Sequence, residues 1–221
     1  MNITSDTTVA AVAIEHPLAT RVFARHGIDF CCGGGESLVA ICRAKGMETE
    51  ALMTEIEAEI SGSCDAEQRW DEAPLPDLID HILRAHHEPL REELPRLEAM
   101  VRKVHQRHGP KNQEAFDGLL ATFMTIKTEI EQHLLKEEMV LFPAIKAGQT
   151  GMLEESISVI ETEHDTLAGF LRELRGYASN YVVPEDACNT LRALWVGLGT
   201  LEQNLREHTH LENNILHKRA M

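Results

Sequence analysis

The stretches HLLKEEMVLFP (133–143) and HTHLENNIL (208–216) carry one pattern, H-x-x-x-E, as His133 with Glu137 and His208 with Glu212. In an α-helix, residues four apart lie on one face with neighbouring side chains. A histidine and a carboxylate so placed can reach one metal centre together. The flanks agree as well, since EEMVLF follows the first histidine's turn and ENNILH the second.

Two further histidines extend the pattern. His87 stands in His87-Glu-Pro-Leu and His164 in His164-Asp-Thr-Leu. His87 precedes His164 by 77 residues, and the H-x-x-x-E motifs are 75 residues apart. A two-helix unit is therefore read twice, as H…HxxxE…H…HxxxE. One histidine on an apolar helix face is readily a hydrogen-bonded core residue. Six residues at near-constant offset ask for a common cause.

The segments around these motifs are long and helical in pattern. They run over 77–107, 112–146, 150–178 and 185–217, separated by HGPKN, AGQTG and SNYVVP. Four helices with short connections predict a bundle. Pro89 and Pro95 lie inside the first segment, where each removes a backbone hydrogen bond and is expected to bend the helix. Two such repeated units facing each other bring four histidines and two glutamates to one internal site.

Upstream, 62–76 (GSCDAEQRWDEAPLP) is polar, holds two prolines and is read as a linker. Residues 1–61 are read as a small module of short helices. EHPLATRVFARH (15–26) is amphipathic and stops at Gly27. After IDFCCGGGES a helix begins at Glu36 or Ser37 and runs to about Lys45, and 48–60 repeat the amphipathic pattern. The fold class expected is all-α: a small N-terminal helical domain (1–61), a linker (62–76) and a four-helix bundle (77–221).

Composition excludes more than it selects. The formal charge is −15 in 221 residues, which argues against nucleic acid and anionic membrane as partners. No run approaches the length of a membrane span, and the first residues lack the basic start of a signal peptide. Five cysteines, an odd count, with Cys31 and Cys32 adjacent, fit thiols in a reducing cytoplasm.

The metal follows from the donors. Imidazole and carboxylate without thiolate suit iron or manganese, and also zinc. If both glutamates bridge two octahedral ions joined by an oxo or hydroxo group, four histidines leave about two positions open, as a site that binds a small ligand requires. The ferritin-like arrangement needs two Glu-x-x-His motifs on different helices. Only Glu161-x-x-His164 occurs at the histidines named above, so that class fits worse.

The chain resembles the iron–sulfur cluster repair di-iron proteins, a branch of the hemerythrin-like superfamily. FARHGIDFCCGGGESL (23–38) resembles that family's small cysteine-bearing domain. DHILRAHHEPLREELP (80–95), HLLKEEMVLFP, ISVIETEHD (157–165) and HTHLENNIL resemble its bundle motifs. The resemblance implies a hemerythrin-like bundle with His87, His133, Glu137, His164, His208 and Glu212 as iron ligands, the glutamates bridging. It implies two iron ions per chain, oxo- or hydroxo-bridged, and repair of clusters damaged by nitrosative or oxidative stress, by donating iron to iron–sulfur client proteins. Its alternative is a hemerythrin-like protein that binds or reduces nitric oxide or dioxygen. It leaves a homodimer open. One departure stands out: Leu216-His217-Lys218 replaces the family's LFP after the last ligand.

The other residues have plainer readings. His81, His86, His105, His108, His210 and His217 are expected at the surface or beside the ligands, mostly at the surface. Glu163 and Asp165 are candidates to orient a ligand imidazole. Cys31 and Cys32 precede a glycine loop and a helix start, where a thiol becomes reactive. They are the candidate reactive thiols. Cys42, Cys64 and Cys188 are read as small apolar residues.

Overall fold

Leucine and its apolar neighbours recur at alternating steps of three and four along each long helix, and this seam builds the bundle. The computed structural model describes residues 3–31, 34–61, 69–149, 151 and 153–221. Cys32, Cys64 and the first part of the expected linker lie outside them. Among the described residues there is no strand, only an isolated bridge between Thr8 and Ser37. The chain falls into two compact units, Asp80–Leu205 and a second made of Met1–Ile79 with Arg206–Met221.

The helices of the bundle are α5 (Leu75–Ile82), α6 (Glu88–His108), α7 (Gln113–Lys136), α8 (Phe142–Lys146), α9 (Leu153–Tyr177), α10 (Asn189–His210) and α11 (His217–Ala220). They are preceded by α1 (Val9–Glu15), α2 (Ala19–Arg25), α3 (Leu38–Lys45) and α4 (Thr49–Ser61). In Asp80–Leu205 most of the buried apolar side chains form one cluster. It takes Leu90, Leu94, Leu97, Val101 and Val104 from α6, with Leu119, Phe123, Ile126, Ile130 and Leu134 facing them from α7. Leu167, Leu171 and Leu174 of α9, and Leu191 to Leu205 of α10, complete it. Such stepping is the seam that helices packing about 20° from antiparallel require.

One close approach in that core is marked by Gly197. A Cβ there would lie 2.6 Å from Leu97 Cδ2, and Leu97 is fully buried. Alanine in a helix interior normally gains about 1 kcal/mol over glycine, but overpacking a filled core costs about 1–3 kcal/mol. The clash wins where the neighbour cannot move. Gly197→Ala is therefore expected to lower stability by up to about 2 kcal/mol, read by urea unfolding; a stabilised variant would contradict this packing.

The second unit is small and capped by its own sequence. Thr8 and Ser37 cap α1 and α3, each accepting a hydrogen bond from the backbone N–H three residues on. Gly27 adopts a left-handed φ of 59° and ends α2, with Ile28 N–H bonded back to Phe23 C=O. Val9, Val12, Val22, Phe23, Ile28, Phe30, Leu38, Leu52 and Ile56 form its core. Helix α1 was not expected as a helix, and α2 starts at Ala19 rather than at residue 15. The cause is Pro17, which cannot continue α1 and instead starts the turn into α2.

Three helices contain one wide turn each. Leu83–His87, Glu137–Leu141 and Leu211–Leu216 are π-helical, closed by N–H groups of Glu88, Phe142 and His217 on the carbonyls of Leu83, Glu137 and Glu212. Such insertions widen a helix by one residue and recur at functional sites. Prolines stand two residues past the ends of two of them, Pro89 and Pro143. Pro89 leaves the Ala85 carbonyl without its helical donor, and Asn204 Nδ2 approaches it at 3.4 Å instead. Pro95 lies inside α6 without interrupting it.

Candidate metal centre

The wide turns carry the expected ligands. His87 closes the first, Glu137 opens the second and Glu212 sits in the third. His133 precedes Glu137 by one turn on α7, His164 is on α9 and His208 is on α10. All six are buried, and Glu137 and Glu212 are fully so.

The contacts converge on the two carboxylates. His133 Nε2 lies 3.2 Å from Glu137 Oε1, and His87 Nε2 lies 3.5 Å from Glu137 Oε2. His208 Nε2 lies 2.9 Å from Glu212 Oε1. His164 Nε2 and His133 Nε2 are 3.0 Å apart. Two groups of four donors follow, His87 with Glu137, His208 and Glu212, and His133 with Glu137, His164 and Glu212. Within each group one ligand atom per residue lies within 4.8 Å of the others. Glu137 and Glu212 belong to both.

These donors fit a cation-bearing centre. A buried carboxylate with no charge to face loses its hydration at a cost of several kcal/mol. Two imidazole nitrogens 3.0 Å apart cannot both present lone pairs without a proton or cation between them. The outer ring nitrogens are held in the sense that metal ligation needs. His87 Nδ1–H donates to Glu138 Oε1 at 2.7 Å, and His133 Nδ1–H donates to Glu163 Oε2 at 3.0 Å. Each bond fixes the tautomer that leaves Nε2 free of hydrogen.

The orienting carboxylates are themselves charged. Burial would push Glu138 up, but the Arg91 guanidinium, 2.5 Å away, and His87 together hold its carboxyl below the usual value. Burial acts on Glu163 in the same way, and Lys136 and His133 outweigh it. Glu163 was expected in this role. Asp165, the other candidate, is exposed. Glu138 was missed, because Asn213 stands at the matching place in the second motif and the repeat gives no hint of it.

The surface reading of three histidines is overturned. His86, His210 and His217 are buried. His86 lies within the first wide turn, and His210 and His217 flank the third. His210 shows this burial best. Its Nδ1–H donates to Phe30 C=O at 3.1 Å, and its ring meets the Phe30 ring edge-on at 5.6 Å. Burial pushes the imidazole down to about 4, against the opposing pull of that bond, so it is neutral near pH 7.

Of the two candidate thiols, Cys31 is described. It is buried, and both its N–H and its Sγ–H donate to Asp29 Oδ1, at 3.0 and 3.2 Å. Asn214 Nδ2 donates to its carbonyl at 3.1 Å. Of the described loop glycines, Gly34 is required by contact: a Cβ there would lie 2.8 Å from both Ala10 Cβ and Phe30 C=O.

Known proteins resemble this chain along nearly its whole length. The hemerythrin HHE cation binding domain matches residues 78–220. A domain of unknown function (DUF542) matches residues 5–60. The chain is 38% identical over 213 residues to the iron-sulfur cluster repair protein YtfE of Yersinia pseudotuberculosis serotype IB, covering 96% of each chain. The same identity and coverage hold for the protein of that name from Yersinia pestis strain Pestoides F. With buried histidine and glutamate donors in a hemerythrin-like bundle and a cysteine-bearing N-terminal domain, the chain belongs to the iron–sulfur cluster repair family.

Proposed function

We propose that the chain takes part in repairing iron–sulfur clusters damaged under nitrosative or oxidative stress, by supplying iron held in its bundle. His87, His133, His164 and His208 would hold two iron ions, with Glu137 and Glu212 shared between them. The observation that carries this reading is the sharing itself: both carboxylates belong to both donor groups. Two fully buried anions beside four imidazoles ask for more than one cation's charge.

Bound iron supplies an exchangeable cation with an accessible redox couple. The chain's own residues do the rest. Glu138 and Glu163 orient His87 and His133 and keep their Nε2 atoms aimed inward. The apolar seam of the bundle keeps bulk water from the donors. The matched stretches support a division into a thiol module at 1–61, a linker at 62–76 and an iron-holding bundle at 77–221. Among the described residues no helix is long and apolar enough to cross a membrane. The work proposed here belongs in a reducing cytoplasm, where Cys31 and Cys32 persist as thiols. Its partners are iron–sulfur clients.

Elemental analysis after expression with ample iron is expected to give two irons per chain, and a value of one or none would overturn the centre. The loaded protein is further expected to lose iron to an apo-cluster acceptor. Retention of all iron through that incubation would favour nitric oxide or dioxygen binding instead. Replacing Cys31 and Cys32 together by Ala is expected to leave the iron content intact and to reduce repair.

A further inference from the structure

The last turns of the bundle have two working faces. His208 and Glu212 are four residues apart and share one face; His210 and Asn214 are also four apart and offset by two positions. Two residues at 3.6 per turn correspond to a rotation of about 200°, so the second pair points away from the first. What the second pair touches is the backbone of Phe30 and Cys31. His210 Nδ1–H donates to Phe30 C=O at 3.1 Å, and Asn214 Nδ2 donates to Cys31 C=O at 3.1 Å. Lys218 Nζ donates to Asn214 Oδ1 at 3.3 Å and so fixes which way that amide faces. Cys31 itself is 7% exposed, with its thiol on Asp29.

We infer that His210 and Asn214 are positioning residues that latch the Cys31 loop onto the segment carrying His208 and Glu212, so that the loop opens when iron leaves. This rests on the proposed function, because it takes Glu212 and His208 as ligands. The physical link is short. The wide turn Leu211–Leu216 holds Glu212 and Asn214 in one hydrogen-bonded unit, and His210 is the residue before it. A cation on Glu212 orders that turn. Without it a fully buried carboxylate draws water or moves, and the latch on its far side moves with it. Coupling of this kind is reciprocal, so opening the latch also weakens the hold on iron. The thiol is thereby presented at the moment when there is iron to hand on or a depleted centre to refill.

The test is thiol labelling of the full chain, with iron and after its removal. The protein is pulsed with N-ethylmaleimide, and Cys31, Cys42 and Cys188 are read separately by mass spectrometry. Cys188 is exposed and reports free reaction; Cys42 is fully buried in the N-terminal core and reports global loss of structure. In the iron-loaded wild type Cys31 is expected to lag well behind Cys188. His210→Leu removes the donor but fills the space, and it should speed Cys31 by about tenfold, the effect of one lost hydrogen bond on an opening equilibrium, with Cys42 still protected. His210→Asn returns an N–H near the Nδ1 position and should restore slow labelling. Asn214→Ala, at a half-exposed site, should act like His210→Leu. Removing iron should speed Cys31 in the wild type and add little in His210→Leu.

Equal Cys31 rates in wild type and both latch variants would overturn the latch. Iron-independent rates in a protein shown to hold iron would overturn the coupling and leave the proposed function standing. Faster Cys42 labelling alongside Cys31 would mean that the variants loosen the whole core, and would count against a local latch. A chain that holds no iron would overturn the proposed function and this inference together.

Discussion

Glu137→Gln or Glu212→Gln is expected to disturb both irons at once, whereas His87→Ala disturbs mainly one. Each glutamate belongs to both donor groups, and His87 belongs to one. Glutamine keeps the size and removes the charge, so two cations face one anion fewer in a fully buried place. Loss of an orienting neighbour alone costs about 10–100-fold in metal affinity, and loss of a shared ligand is expected to exceed the upper end of that range. Mössbauer spectra would show two altered iron environments and lost magnetic coupling in the glutamate variants. The histidine variant would show one altered environment, with the second ion retained. A normal coupled pair in either glutamate variant would mean that the shared ligands lie elsewhere.

Stripping the metal is expected to lower the melting temperature by roughly 10 to 20 °C. A ligand that binds only the folded state stabilises it by about 2.7 kcal/mol at a hundredfold excess over its Kd, and two sites double that. For a domain of this size each kcal/mol moves the midpoint by about 2–4 °C. The burial of Glu137 and Glu212 adds in the same direction, since the stripped centre keeps its anions and loses their partners. Scanning calorimetry of the loaded and stripped protein checks this. Equal midpoints after verified removal would place the metal away from the buried carboxylates.

Much of this protein is written in its spacings. Leu90, Leu94, Leu97, Val101 and Val104 step by four and three, and that alone specifies a helix with one apolar seam. The doubled H-x-x-x-E motif, with His87 and His164 at a near-constant offset, singles out six donors before any contact is known. The caps at Ser37 and Gly27 are equally local, because the backbone groups they satisfy lie within a few residues.

What the spacing cannot carry is whatever depends on a second element or on a change of period. The wide turns at Leu83–His87, Glu137–Leu141 and Leu211–Leu216 break the regular helical count, and no residue type demands them. Glu138 orients His87 from 51 residues away, a relation set by how two helices meet. His210 was assigned to the surface because it faces away from the ligand face of its helix. In an isolated bundle that face would meet water. Here the Phe30 carbonyl and ring cover it, and burial makes the imidazole neutral. Sequence therefore determined the helices, their apolar seams and the set of candidate donors, since all three follow from period and residue chemistry along one chain. Only the tertiary structure decided which carboxylates steer which imidazoles and what lies behind the last ligand turn, because hydrogen bonding and desolvation there depend on atoms brought from distant parts of the sequence.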